Sequence, residues 1–184
     1  MHGFGWRLAV LLIVPVTAAA VAEPASSRVI DSKVIADSNT SGVSPSPAAT
    51  MICAAETLND ISATIGVQPS EVTTPTWTNH VYACEYRYPT GAIAVSVREF
   101  QNPPAGRQYL NNQAKRLGKR TQPFLAQGGY FLANGSIIVR KDADVLEVDV
   151  SAVPTNFGDP SLTLGPKEVA TIVATAILKC WRQR

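Results

Sequence analysis

Apolar positions recur along this chain with two different periods, and the changes of period mark its elements. From about Cys53, the residues Ala54, Leu58, Ile61 and Ile65 fall at helical spacing, and Gly66 follows as a stop. Residues 67–80 are polar and contain Pro, which predicts a loop. Tyr82, Cys84, Tyr86 and Tyr88 then share one strand face, with Glu85 and Arg87 on the other. After Pro89-Thr90-Gly91, a second alternating run places Ile93, Val95 and Val97 together, so the two runs predict a hairpin. Asn102-Pro103-Pro104 opens a helix, since Pro has no N–H to lose in the first turn; it is expected to carry Leu110, Ala114 and Leu117 inward and to stop at Gly118.

The second half returns to strands. Tyr130 to Ala133 runs into Asn134-Gly135, a strong hairpin signal because both residues tolerate positive φ, and Ser136 to Lys141 runs back. A third strand puts Leu146, Val148, Val150 and Ala152 on one face and Glu147, Asp149 and Ser151 on the other, which predicts that its second face is solvated. Gly165-Pro166 opens a last helix with Val169, Ile172, Val173, Ala176, Ile177 and Cys180 on one stripe. The predicted class is α+β, with a mainly antiparallel sheet of about five strands and three helices packed over it.

The N-terminal part has neither period. Residues 1–22 read as a secretory signal peptide, with Arg7 as the positive flank, Leu8 to Val16 as a short apolar core and Ala20-Val21-Ala22 as the cleavage site. The apolar run is shorter than the roughly 20 residues of a membrane span, and Pro15 weakens it further; the alternative is an uncleaved signal anchor. No Cys stands at the cleavage point, so no lipid anchor is expected. Residues 23–50, rich in Ser, Pro, Thr, Asn and Asp, read as a flexible tether, which leaves 51–184 as a single α+β domain. The sequons at Asn39 and Asn134 carry meaning only in a eukaryotic source.

Composition narrows the function classes. The chain has 184 residues, 46% of them hydrophobic and 16% charged, which is enough for a packed core. A net charge of +2 gives no general attraction to nucleic acid or to anionic membranes. Membrane contact is expected only if the signal peptide stays in place.

Three cysteines in an exported chain favour one disulfide with one thiol left over. Cys53–Cys84 is the expected pair, with Cys180 a buried thiol on the last helix; Cys53–Cys180 and Cys84–Cys180 stay open. Zinc is disfavoured by the long spacings and by His80 being the only His after cleavage.

The pattern Cys53-Ala-Ala-Glu-Thr-Leu58, then Ile61 and Ile65-Gly66, then Tyr82-Ala-Cys84-Glu-Tyr86 resembles an actinobacterial family of secreted proteins and lipoproteins of unknown function. That group is similar to mycobacterial LpqN-type lipoproteins and to the extracellular sensor domains of some mycobacterial Ser/Thr kinases. The resemblance implies an α/β/α sandwich of the Mog1/PsbP kind, an envelope location, and ligand or partner binding without catalysis. The chain departs from the lipoprotein members by lacking the lipobox Cys and from a two-Cys pattern by having Cys180. The family supplies no catalytic residues and no cofactor.

Candidate chemistry is sparse. A hydrolase would have to use His80, yet there is no G-x-S-x-G nucleophile motif. Asp142, Asp144, Glu147 and Asp149 form an acidic run without the Gly turn and ligand spacing of a calcium loop. The basic run Arg107, Lys115, Arg116, Lys119 and Arg120 has no acid within it. Lys115, Arg116, Lys119 and Arg120 complement the C-terminal end of a helix dipole, and the run is also a candidate anion-binding face for phosphorylated or carboxylated envelope polymers. The expectation is therefore a secreted, non-enzymatic ligand- or partner-binding module of the cell envelope, with a small secreted hydrolase using His80 as the alternative.

Overall fold

The computed structural model describes residues 44–123 and 125–182. The segment read as a signal peptide, its expected cleavage site and most of the segment read as a tether lie outside the described residues. Seven strands form one antiparallel sheet: β1 (Glu71–Val72), β2 (Thr76–Thr78), β3 (Val81–Tyr88), β4 (Gly91–Glu99), β5 (Gly129–Phe131), β6 (Ile137–Lys141) and β7 (Asp144–Asp149). Their spatial order is β1-β3-β4-β7-β6-β5, and β2 also pairs with β3. The helices are α1 (Pro47–Thr50), α2 (Ala55–Ile65), α3 (Pro103–Arg116) and α4 (Pro166–Arg182), with a 3₁₀ turn at Met51–Cys53.

Alternation decides the layers. Cys84, Tyr86 and Tyr88 of β3, Ile93, Val95 and Val97 of β4, Ile137 and Val139 of β6, and Leu146 and Val148 of β7 point to one face. They are buried there with Ile61 and Ile65 of α2 and with Val169, Val173 and Ile177 of α4. Burying each such side chain contributes roughly 1.5–3 kcal/mol, so a one-residue slip that exchanged faces is strongly disfavoured. On the opposite face, Tyr130, Ile138 and Val145 are buried beneath Leu110 and Ala114 of α3. Gly106 lets α3 sit this close: a Cβ there would stand 3.1 Å from the Ala143 carbonyl oxygen, at the turn between β6 and β7. The sheet thus has two helices over one face and α3 over part of the other.

The α+β class and the antiparallel sheet are as expected, but the described residues form seven strands and four α-helices rather than about five and three. Two of the extra strands, β1 and β2, lie in the segment read as a loop. They are two and three residues long, have no alternating apolar run, and exist because β3 is long enough to pair with both. The β2–β3 turn is Asn79-His80, with φ of 51° and 59°, so both residues are left-handed as a two-residue hairpin turn requires. In the expected Asn134-Gly135 turn only Gly135 takes positive φ, at 92°, and it packs against the start of α4.

Three packing expectations also change. Leu117 is 51% exposed, because α3 ends before it and the chain turns away. The second face of β7 is solvated only in part: Val145 is buried beneath α3, Glu147 and Asp149 are half-buried, and Ser151 is exposed. Cys53 lies in the 3₁₀ turn rather than opening α2. Residues 47–50, at the end of the segment read as a tether, form α1; Ser46 caps it, Ala49 is fully buried, and the Ser46 N–H donates to Glu99.

Candidate functional site

The outer face of the sheet is built from small and polar residues where α3 does not reach. Ala83 of β3 lies opposite Ser96 of β4, and Ser96 lies opposite Glu147 of β7. Ala94 lies opposite Asp149 in the next register position. These positions are half-exposed and form a shallow shelf beside α3. Where the shelf meets the helix, a cleft of about 190 Å³ opens between Ser96, Arg98 and Glu147 on the strands and Tyr109, Gln113 and Leu117 on the helix. Tyr130 and Ile138 line its inner end.

Local sequence fixes the helical wall. Asn102 accepts from the Ala105 N–H at 2.9 Å, and Pro103 and Pro104 occupy the first turn. Lys115 and Arg116 sit in the last turn, where cations meet the negative end of the helix dipole. Tyr109 and Gln113 are four residues apart and so stack on one flank; the Gln113 amide donates to the Tyr109 hydroxyl at 2.9 Å. The Arg98 guanidinium lies 5.4 Å from the Tyr109 ring centre, which fixes the Arg across the cleft mouth.

The electrostatics are those of a partly dry site. Burial, then the Glu147 charge and Tyr109, pushes Tyr130 up to about 12, against Arg116, which lowers it. Burial, then Asp149, raises Glu147, and Arg98 opposes the shift. The Tyr130 hydroxyl is buried without a hydrogen-bond partner among the described residues. A buried hydroxyl that makes no bond costs about 1–3 kcal/mol, so this donor is available to a bound group. The cleft can therefore offer a neutral O–H donor, an amide, the Arg98 guanidinium and the Glu147 carboxyl around an aromatic wall.

The sequence-derived candidates scatter. Arg107, Lys115, Arg116 and Arg120 are exposed and Lys119 is half-buried. Arg116 is close enough to the cleft to act on Tyr130, whereas Arg107 lies on the opposite flank of α3, beside Arg140. The five do not form one face. His80 is exposed in the β2–β3 turn, its ring edge-on to Trp77 at 5.9 Å, and borders an open hollow of about 490 Å³ with Arg98 and Phe100. Cys84, its nearest cysteine in sequence, is bonded to Cys53 with a Cα–Cα distance of 6.1 Å. Cys180 is the free thiol among the described residues and is half-buried rather than buried, with its sulfur 3.9 Å from the Thr57 hydroxyl. Among the described residues no group of three or more His, Cys, Asp or Glu could hold a metal ion, and no helix is long and apolar enough to cross a membrane.

Sequence reading missed Tyr109, Gln113, Tyr130 and Arg98 as a group. The available signal was the outward face of β4, where Ala94, Ser96 and Arg98 alternate with the core residues; only the register places Glu147 and Tyr130 beside it. No family model, no curated protein and no solved structure matches this chain.

Proposed function

We propose that this chain is an exported, non-enzymatic binding module of the cell envelope that holds an extended ligand across the outer face of its sheet. The observation that carries the reading is the half-covered outer face, whose small-residue shelf runs into the cleft where the Tyr130 hydroxyl has no partner among the described residues. Size decides the ligand's shape. Sites that enclose a drug-sized molecule measure about 300–1,000 Å³. A cleft of about 190 Å³ takes one ring or side group, and the remainder of the ligand lies over Ala83, Ala94 and Ser96.

Export is supported by the apolar N-terminal segment with its small-residue cleavage site, and by the Cys53–Cys84 disulfide, which persists in oxidising compartments. Kinship with the LpqN-type envelope proteins rests on the cysteine and aromatic pattern alone. The finer description of the fold as an α/β/α sandwich of the Mog1/PsbP kind belongs to the same proposal, and helices on both faces of the sheet support it.

Hydrogen exchange on the full chain, with and without a soluble envelope extract, tests the reading. Protection is expected at residues 109–117 and along β4. Protection confined to the His80 turn, or release of a hydrolysed product from the extract, would replace the binding module with an enzyme.

A further inference from the structure

The other flank of α3 borders a second hollow, of about 330 Å³, walled by Arg107 and Asn111 of the helix, by Thr121 and Gln122 beyond it, and floored by Gly128 and Arg140. Its rim is exposed and its floor is buried. Arg140 is only 5% exposed. Its guanidinium donates to the Gln127 side chain at 2.7 Å, to the Asp142 carbonyl at 2.9 Å and to the Gln127 carbonyl at 3.3 Å, all neutral acceptors. Its Nε–H is buried without a partner among the described residues. The ion pairs among the described residues join Arg87 to Glu71 and Glu85, and Lys179 to Asp60; none involves Arg140. The nearest carboxylate, Asp142, is exposed and accepts instead from the Gln127 amide at 2.9 Å.

Burial, then the neighbouring cation Arg107, lowers the Arg140 pKa, and the Asp142 carboxylate opposes the shift. With the Asp142 carboxylate exposed and bonded to Gln127, the buried charge is compensated only in part, and a like charge beside it adds to the cost of burying it. The rest of the rim also favours donors. The Thr121 hydroxyl occupies the Asn111 carbonyl oxygen at 3.2 Å and leaves the Asn111 amide nitrogen as a donor. No acid lines the hollow.

We propose that this hollow is an oxyanion site, in which a carboxylate or phosphate group is held by Arg107 at the rim and neutralises the buried Arg140. It is separate from the cleft on the Tyr109 flank and does not depend on it. Of the basic residues prominent in the sequence, only Arg107 belongs to it; Arg140 supplies the second charge from near the end of β6.

The test is a titration of the isotope-labelled full chain, followed by NMR at the Gly128 amide and the Arg140 guanidinium, with inorganic phosphate in one arm and acetate in the other. Saturable shifts at both positions, weakening as salt screens the contact, are expected. The arm with the tighter curve tells phosphate from carboxylate chemistry. Arg107→Gln changes an exposed residue and should weaken binding about fivefold to tenfold, the lower end for a charge-assisted bond. Arg140→Lys keeps the charge but loses the planar fork, and should also bind more weakly; should it fail to fold, Arg107→Gln decides alone. An unchanged curve in Arg107→Gln overturns the proposal. So do shifts confined to Lys115, Arg116, Lys119 and Arg120, or none at Arg140 in either arm.

Discussion

Removing the Cys53–Cys84 bond by a double Cys→Ala change should cost this domain a large part of its stability. The bond joins residues 31 apart in sequence, across the 3₁₀ turn, α2, β1 and β2. For a loop of that length the chain-entropy model gives about 3.7 kcal/mol. Cys84 is 6% exposed and its sulfur packs near the Ile52 carbonyl, so the substitution also opens a small gap. Native domains are stable by only about 5–15 kcal/mol, so the loss should lower Tm by roughly 10 °C or more. The assay is thermal unfolding of the oxidised protein and the variant, paired with thiol counting on protein from its own compartment. One reactive thiol, Cys180, should be found before reduction. Three thiols before reduction, or an unchanged Tm in the variant, would refute both the pairing and the inference of an oxidising compartment.

Other perturbations separate core from surface. Leu110→Ala should destabilise by about 2–5 kcal/mol, because Leu110 is 2% exposed where α3 packs on the sheet, whereas Leu117→Ala should change stability by less than about 0.5 kcal/mol while weakening ligand binding at the cleft mouth; denaturant melts and binding curves distinguish the two. Asp144 has its pKa raised to about 6 by burial, then by Glu99 and Asp142, so its charged form opposes folding and stability from this group falls as pH rises from about 4 through 6. After discounting for its exposure, Asp144→Asn should therefore stabilise by roughly 1 kcal/mol at pH 7.5 and by nothing below about pH 4, read from Tm against pH. Asp149 acts in the opposite sense: burial pushes it up, but bonds from the Ser151 N–H and the Ser136 and Ser151 hydroxyls together hold its pKa down, so its contribution is lost as pH falls through the acid range. N-terminal sequencing of secreted material should begin at Glu23; intact Met1 in the membrane fraction would favour a signal anchor instead.

What the sequence displayed was local. The periods of β3, β4 and β7 and of α2 and α4 were strong because each buries one full face, and Asn102-Pro103-Pro104 marked α3 without ambiguity. The short β1 and β2 were invisible because they bury almost nothing of their own and are held by pairing to β3. Asn79-His80 was read as loop because a turn signal lacks force without an apolar run on each side. The site was not legible because it is a product of register. Tyr130, Glu147 and Arg98 come from three strands far apart in sequence, and Arg107 meets Arg140 only once α3 lies over β6. The linear run from Arg107 to Arg120 suggested one basic face, but a helix and the turn after it distribute those charges around the axis.

The most direct test of the binding reading is native mass spectrometry of the full chain after exposure to a soluble envelope extract, compared with Ser96→Trp. Ser96 is half-exposed at the junction of shelf and cleft, so the indole fills the site without entering the core. The account predicts a ligand-sized mass added to the native chain and lost in Ser96→Trp, with both proteins folded by near-ultraviolet circular dichroism. An added mass equally abundant in the two would place the ligand elsewhere, and its absence from both would contradict the account.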